Sequence, residues 1–347
     1  MRRCCKRFGF VTTWLIVVLV TGGVPQASRQ DNAASAKFET IVLGAAGGLQ
    51  EQNLTAYLLA PKGDTNFIAL DAGTLLSGIM TAKSLGSFDQ IRVPPASTFT
   101  LAGWVLREHI KAYLISHAHL DHVSGLILNA PEDSKKTIMG LAPTIDTLRD
   151  HIFNWQVWPN FGHTGREPRL HTYTYVRLTP GQEYPISGTA MTAKAFRLSH
   201  SRGYPSTAFL IQSAGFFVLY CGDTGPDAVE NSTNLHAVWT SIAPLIRAQK
   251  LRALFLEVSY PDGRPDHLLF GHLTPSWLLK ELRRLARMVH PKNPQTALAR
   301  LTVVVTHIKP SFKRGPAPRD TITQQLNALN DLGVRFVMPR QGRRIEF

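Results

Sequence analysis

Residues 110–125 read Ile-Lys-Ala-Tyr-Leu-Ile-Ser-His-Ala-His-Leu-Asp-His-Val-Ser-Gly. This is an apolar, strand-like run that breaks abruptly into four metal-binding side chains. In an extended segment His117 and His119, two apart, project to the same side, so two imidazoles can reach one ion. Asp121 and His122 follow where the chain turns toward a helix. Neighbouring side chains there point in different directions, so these two can serve a second ion, and a carboxylate with an imidazole suits zinc, manganese or iron. The run supplies only part of a ligand set, so the fold must bring distant segments to the end of this strand.

Three later stretches repeat the pattern. Ala193–Ser199 is strand-like and ends at His200. Phe216–Cys221 runs into Gly222-Asp223-Thr224-Gly225, and Leu301–Thr306 ends at His307. Each is a strand whose C-terminal end carries a possible ligand, and in sheets covered by helices that edge is where ligands bind. Any one of these residues alone reads as a turn residue. Together they complete a set of five histidines and two aspartates, enough for two adjacent ions. Asp223, between glycines that let backbone approach closely, is placed to bridge them with its two oxygens.

Phe38–Leu43 reads as the first strand, leading into a glycine-rich turn at Gly44-Ala-Ala-Gly-Gly, with paired strands over Leu54–Ala60 and Asn66–Leu70. The turn lacks the lysine of a P-loop and the full dinucleotide fingerprint, so it reads as structural. Asp71 directly follows a strand and is a candidate acceptor behind a ligand histidine, or a cap for its own turn. Arg252–Ser259 is a buried-looking strand containing Glu257. Thr274 and Pro275 fit the N-cap and first position of a helix, which puts His272 beside a helix N-terminus, suited to proton donation or phosphate contact. A last helix is expected around Thr321–Leu332 and a strand over Val334–Met338. The aromatic segment 151–175 reads mainly as core, with Trp158 and Phe161 the candidates for exposure.

The 347 residues are 44% hydrophobic and 18% charged, a globular composition without a break or repeat after residue 37, so one domain is expected over 38–347. The start is basic, and an apolar run from Phe8 to Gly23 is followed by small residues up to Ala27. Residues 1–27 therefore read as a cleaved signal peptide and 28–37 as a flexible lead-in, giving a periplasmic or secreted protein with no integral membrane segment in its mature form. Cleavage would remove four basic residues, taking the formal charge from +14 to +10, and leave Cys221 as the only cysteine, so no intrachain disulfide staples the fold. The positive balance favours anionic ligands such as nucleotides.

The motif His-x-His-x-Asp-His with the separate His200, Asp223 and His307 resembles the metallo-β-lactamase superfamily. His151-Ile-Phe-Asn with Trp158-Pro-Asn-Phe161, Gly271-His-Leu-Thr-Pro275 and Thr306-His-Ile-Lys-Pro-Ser311 resemble the class II cyclic-nucleotide phosphodiesterases within it. The resemblance implies an α+β fold, the four-layer αββα sandwich of the metallo-β-lactamase type. It implies two divalent ions, zinc foremost: His117, His119 and His200 on one, Asp121, His122 and His307 on the other, Asp223 between. The implied reaction is hydrolysis of a 3′,5′-cyclic nucleotide, a small-molecule substrate, to the 5′-monophosphate, with no stable nucleic-acid partner. Asp121 would orient the attacking water and His272 would protonate the departing 3′ oxygen. Two other readings stand beside it: hydrolysis of an RNA phosphodiester, a lactam or a thioester on the same scaffold, and an exported non-catalytic metal- or nucleotide-binding protein. His122 speaks against the lactamases, whose usual motif lacks that final histidine.

Overall fold

The computed structural model describes Met1 and residues 37–201 and 203–347. The expected signal peptide, and the lead-in up to residue 36, lie outside the described residues apart from Met1. The strands are β1 (Phe38–Gly44), β2 (Ala56–Pro61), β3 (Phe67–Leu70), β4 (Ile110–Leu114), β5 (Lys136–Leu141), β6 (Tyr173–Leu178), β7 (Glu183–Pro185), β8 (Thr192–His200), β9 (Tyr204–Ser213), β10 (Phe216–Cys221), β11 (Leu251–Glu257), β12 (Thr302–Thr306), β13 (Arg335–Val337) and β14 (Arg344–Glu346). The longer helices are α1 (Leu76–Ser84), α2 (Leu120–Asn129), α3 (Asn234–Arg247), α4 (Pro275–Val289) and α5 (Pro318–Leu329).

Two seven-stranded sheets form, in the orders β14-β1-β2-β3-β4-β5-β6 and β13-β12-β11-β10-β9-β8-β7. Each is antiparallel over one half and parallel over the other: β3, β4, β5 and β6 run parallel in the first, β10, β11, β12 and β13 in the second. The two-residue alternation of the strands sorts their side chains into layers. Tyr57 and Leu59 of β2 and Val218 and Tyr220 of β10 meet in a core between the sheets. Leu58 and Ala60 face outward to a cluster that includes Ile79 of α1 and Leu126 of α2. Leu219 and Cys221 face a third cluster built with Trp239 of α3 and Leu278, Leu282 and Leu285 of α4. Three apolar layers between four layers of secondary structure make an αββα sandwich, as the resemblance implied. Cys221 is a free, buried thiol packed as an apolar residue.

The helix after Thr274 forms as expected, with Thr274 Oγ1 accepting from Trp277 N at 3.5 Å. The last helix starts three residues earlier than expected, at Pro318. Strands β5 to β7 lie on either side of the aromatic segment, β6 overlapping its end, where the sequence pattern predicts no elements. Phe161 is buried, against the expectation of exposure; it packs edge-on to Phe153, and the exposed residues of that turn are instead Trp155 and Val157. Phe153, Phe161, Tyr173 and Tyr175 belong to the helix-side core.

The close packing of α1 on β1 allows a sign test. In an exposed helix Gly→Ala stabilises by about 1 kcal/mol. A methyl at Gly78 would instead lie 2.3 Å from Leu43 O and 2.7 Å from Leu43 Cα. Gly78→Ala is therefore expected to destabilise by roughly 1–3 kcal/mol, read as a lowered urea midpoint at unchanged slope.

Candidate metal centre

The parallel strands deliver the site. Beyond β4 the chain stays extended through Ser116, His117 and His119, and His119 stands at the N-cap of α2 with β-region dihedrals. Asp121 and His122 occupy the first turn of that helix, where its positive end favours a carboxylate. From the second sheet, His200 is the last residue of β8, Asp223 lies just past β10, and His307 just past β12. All seven side chains singled out from the sequence meet at one edge shared by the two sheets.

Asp223 Oδ2 is the point of convergence. It lies 3.2 Å from His307 Nε2, 3.3 Å from His122 Nε2, 3.7 Å from His117 Nε2 and 3.9 Å from His200 Nε2. His117 Nε2 and His119 Nδ1 are 3.0 Å apart, and His307 Nε2 is 3.1 Å from Asp121 Oδ2. Ligand atoms gather into triads that can each hold a cation, among them His117–His119–His200, Asp121–His122–His307 and His117–His122–Asp223. The donor set fits a divalent ion. The plainest sign is His122 Nε2, a buried nitrogen without a hydrogen-bond partner, approached by Asp223 off the bonding direction.

Hydrogen bonds on the far side of each ring decide which nitrogen faces the centre. His200 Nδ1 lies 2.8 Å from Gly271 O, and a carbonyl only accepts, so that nitrogen carries the proton and Nε2 the lone pair. His122 Nδ1 is 2.8 Å from Asp71 Oδ2. The Ser116 hydroxyl donates to Asp71 Oδ2 at 2.7 Å and so accepts from His117 Nδ1 at 3.0 Å. On the other sheet the Ser259 hydroxyl donates to Glu257 Oε2 at 2.7 Å and accepts from His307 Nδ1 at 2.9 Å, while His272 Nδ1 lies 2.8 Å from Glu257 Oε1. Each sheet thus provides one fully buried carboxylate that holds one imidazole directly and a second through a serine. Such bonds orient ligand rings and raise their basicity. Asp71 also accepts from Ser116 N at 2.7 Å and from Tyr220 Oη, across from the second sheet, at 2.6 Å. It keeps a left-handed φ of +54°, a conformation aspartate tolerates better than most residues.

The glycine-rich turn backs this cluster. Gly48 N donates to Asp121 Oδ2 at 2.8 Å, and a methyl on Gly47 would lie 2.4 Å from His307 Cε1, so only glycine fits there. Tyr204 stacks on His119 with centroids 4.6 Å apart and planes at 15°. Asp71, weighed from the sequence as a supporting acceptor, takes that place. Glu257, Ser116, Ser259 and Tyr204 were not singled out. The one local signal for Glu257 is a charge closing the apolar run Ala253–Leu256.

Electrostatics follow the crowding. Burial holds His117 and His200 below the ordinary imidazole range, and burial with His200 and His122 nearby brings His119 down to about 4. Burial opposes a charge on His122, yet Asp223, Asp71 and Asp121 together raise it well above the ordinary value. Burial alone would raise Asp223 and Asp121, but His307 and His122 on the first, and His122 and His307 on the second, keep both ionised. Burial and Asp223 push Glu257 up to about 7, while burial, with Lys309 adding to it, takes His272 down to about 4.

A sandwich of this topology with histidines and aspartates gathered at the shared edge defines a metal-dependent hydrolase of the metallo-β-lactamase fold. The profile of the family described as cAMP phosphodiesterases class-II matches residues 34–342. A 3′,5′-cyclic-nucleotide phosphodiesterase of Aliivibrio fischeri is 45% identical over 91% of this chain and 94% of its own length. A cAMP/cGMP phosphodiesterase of Dictyostelium discoideum is 33% identical over 88% of this chain and 80% of its own. Unliganded yeast PDE1 superposes with a TM-score of 0.74 at 26% identity, over 90% of this chain and all of that one. The metallo-β-lactamase fold protein YhfI of Bacillus subtilis, at 14% identity and a TM-score of 0.56 over 89% of this chain and 99% of its own, shares the fold. The chain belongs to the class II cAMP phosphodiesterase family.

Asp223, Asp71 and Asp121 raise His122 well above the ordinary imidazole range against the effect of burial, so a cation that takes Nε2 competes with a proton that is easier to displace as pH rises. Apparent metal affinity is therefore expected to increase with pH by roughly tenfold per unit while one proton is released per site loaded. Calorimetric titration of metal in buffers of different ionisation enthalpy measures that release, and the slope should flatten in Asp71→Asn.

Proposed function

We infer that this enzyme hydrolyses 3′,5′-cyclic nucleotides to nucleoside 5′-monophosphates at a centre of two divalent ions, most naturally zinc. The observation that carries the reading is the convergence of four imidazole Nε2 atoms on one Asp223 oxygen, in a chain of this family. We assign His117, His119 and His200 to one ion and Asp121, His122 and His307 to the other, with Asp223 shared. When bound, the ions supply a water acidic enough to lose its proton near neutral pH and positive charge against the phosphoryl oxygens.

The chain's own groups do the rest. Asp121 keeps its carboxylate ionised, is positioned by Gly48 N and His307, and has a side chain 17% exposed, which suits it to orient the attacking water. His272 is fixed by Glu257 through Nδ1, leaving Nε2 for the leaving group. Burial and Asp223 push Glu257 up to about 7, so near neutral pH its carboxyl is protonated in part while the His272 beside it stays largely neutral. Transfer of the Nε2 proton to the departing 3′ oxygen is balanced by the Glu257 proton passing to Nδ1. A small cyclic nucleotide, with no stable nucleic-acid partner, is the substrate class this reading takes. Export through a cleaved leader, giving a periplasmic or secreted enzyme, is part of the same proposal; N-terminal sequencing of the protein from its host tests it.

Incubation of the zinc-loaded protein with cyclic AMP and cyclic GMP should yield the 5′-monophosphates, with two metal equivalents by elemental analysis. Unchanged cyclic nucleotides would reject the reading. His272→Ala is expected to lower kcat by about 10²–10⁴ with metal content retained, whereas Asp223→Ala should lose metal and turnover together.

A further inference from the structure

Lys309 is the one cation of the motif Thr306-His-Ile-Lys-Pro-Ser311 whose place in the reaction remains unassigned. Two contacts fix its backbone beside the metal cluster. Lys309 N donates to Ser259 O at 3.1 Å, and Ser259 Oγ is the partner of His307. The preceding residue, Ile308, bridges to Ala46 and accepts from Gly47 N at 3.2 Å, clamping this segment to the glycine-rich turn. The side chain, half-buried, lies along that turn: a methyl on Gly48 would stand 3.8 Å from Lys309 Nζ. Gly48 N is in turn the donor to Asp121.

The ammonium therefore lies against the turn whose Gly48 N holds Asp121. Its charge is the largest cationic influence on His272. The carboxylates of the cluster are already engaged: Asp121 and Asp223 by imidazoles, Glu257 by His272 and Ser259. No carboxylate pairs with Lys309 among the described residues. A half-buried ammonium without a counter-ion, held over a glycine turn, is an anion site in waiting, and a lysine supplies a point charge to a phosphate.

We propose that Lys309 Nζ binds a non-bridging phosphoryl oxygen of the nucleotide, making it a substrate-binding residue that selects the phosphate over the nucleoside. This rests on the phosphodiesterase reading above, but the test separates the two. The probes are 5′-AMP and uncharged adenosine, each used as an inhibitor of cyclic AMP hydrolysis and as a calorimetric ligand of the metal-loaded enzyme. In Lys309→Ala, 5′-AMP should weaken by about 10- to 100-fold, the range for a charge-assisted hydrogen bond, with adenosine unchanged. KM for cyclic AMP should rise, and Lys309→Arg should recover most of both losses. Equal losses for adenosine and 5′-AMP, or no loss for 5′-AMP, would overturn the proposal. A parent enzyme inert toward cyclic AMP would instead count against the hydrolytic reading, and 5′-AMP calorimetry would still decide the role of Lys309.

Discussion

Everything at the shared edge of the two sheets is arranged around a single carboxylate oxygen, Asp223 Oδ2, buried among imidazoles that come from both sheets' edges. Packing so many nitrogen lone pairs into one dry volume is unfavourable without a positive charge to meet them, since unpaired buried polar atoms carry their full desolvation penalty. The carboxylates of Asp223, Asp71 and Asp121 favour a proton on His122, which meets part of that demand. A divalent cation meets it more completely.

What keeps the rings from turning away is a device used twice. Asp71 follows β3 and Glu257 closes β11, and each sits one parallel strand away from a histidine it reaches through serine: His117 beyond β4 through Ser116, His307 beyond β12 through Ser259. Each also grips a further imidazole directly, His122 in one case and His272 in the other. The parallel halves of the two sheets therefore present matching constellations toward one another. His272 occupies the place that His122 has in the first sheet, yet its ring is fixed by a carboxylate that burial keeps partly protonated. The same construction orients an imidazole toward the cluster from each sheet.

The seven residues at the centre were readable because their positions are local facts: two histidines at alternation spacing, a strand that yields to a helix, and lone polar residues at apolar strand ends. The four-layer class came from resemblance and from those strand ends, not from counting elements. Strands β5 to β7 are hard to read locally because β5 opens on a lysine and carries a glycine, β6 mixes an arginine with aromatics and β7 has only three residues. Glu257 and Ser259 were missed for a different reason. Ser259 serves an imidazole 48 positions away, and no spacing rule carries that information. Phe161 was misjudged because Pro159 and Asn160 signal a turn, and a turn says nothing about which side of it faces the core.

The order in which the ring of side chains is assembled follows from the fold. The first four belong to one sheet and the last three to the other, with His307 arriving before the strand Arg344–Glu346, which returns to pair with the first. A chain still being synthesised therefore carries an incomplete ring until His307 has emerged, and a copy short of that point has no closed coordination shell with which to trap a passing ion. Synthesis of the second sheet, closure of the sandwich and readiness for chemistry become one event.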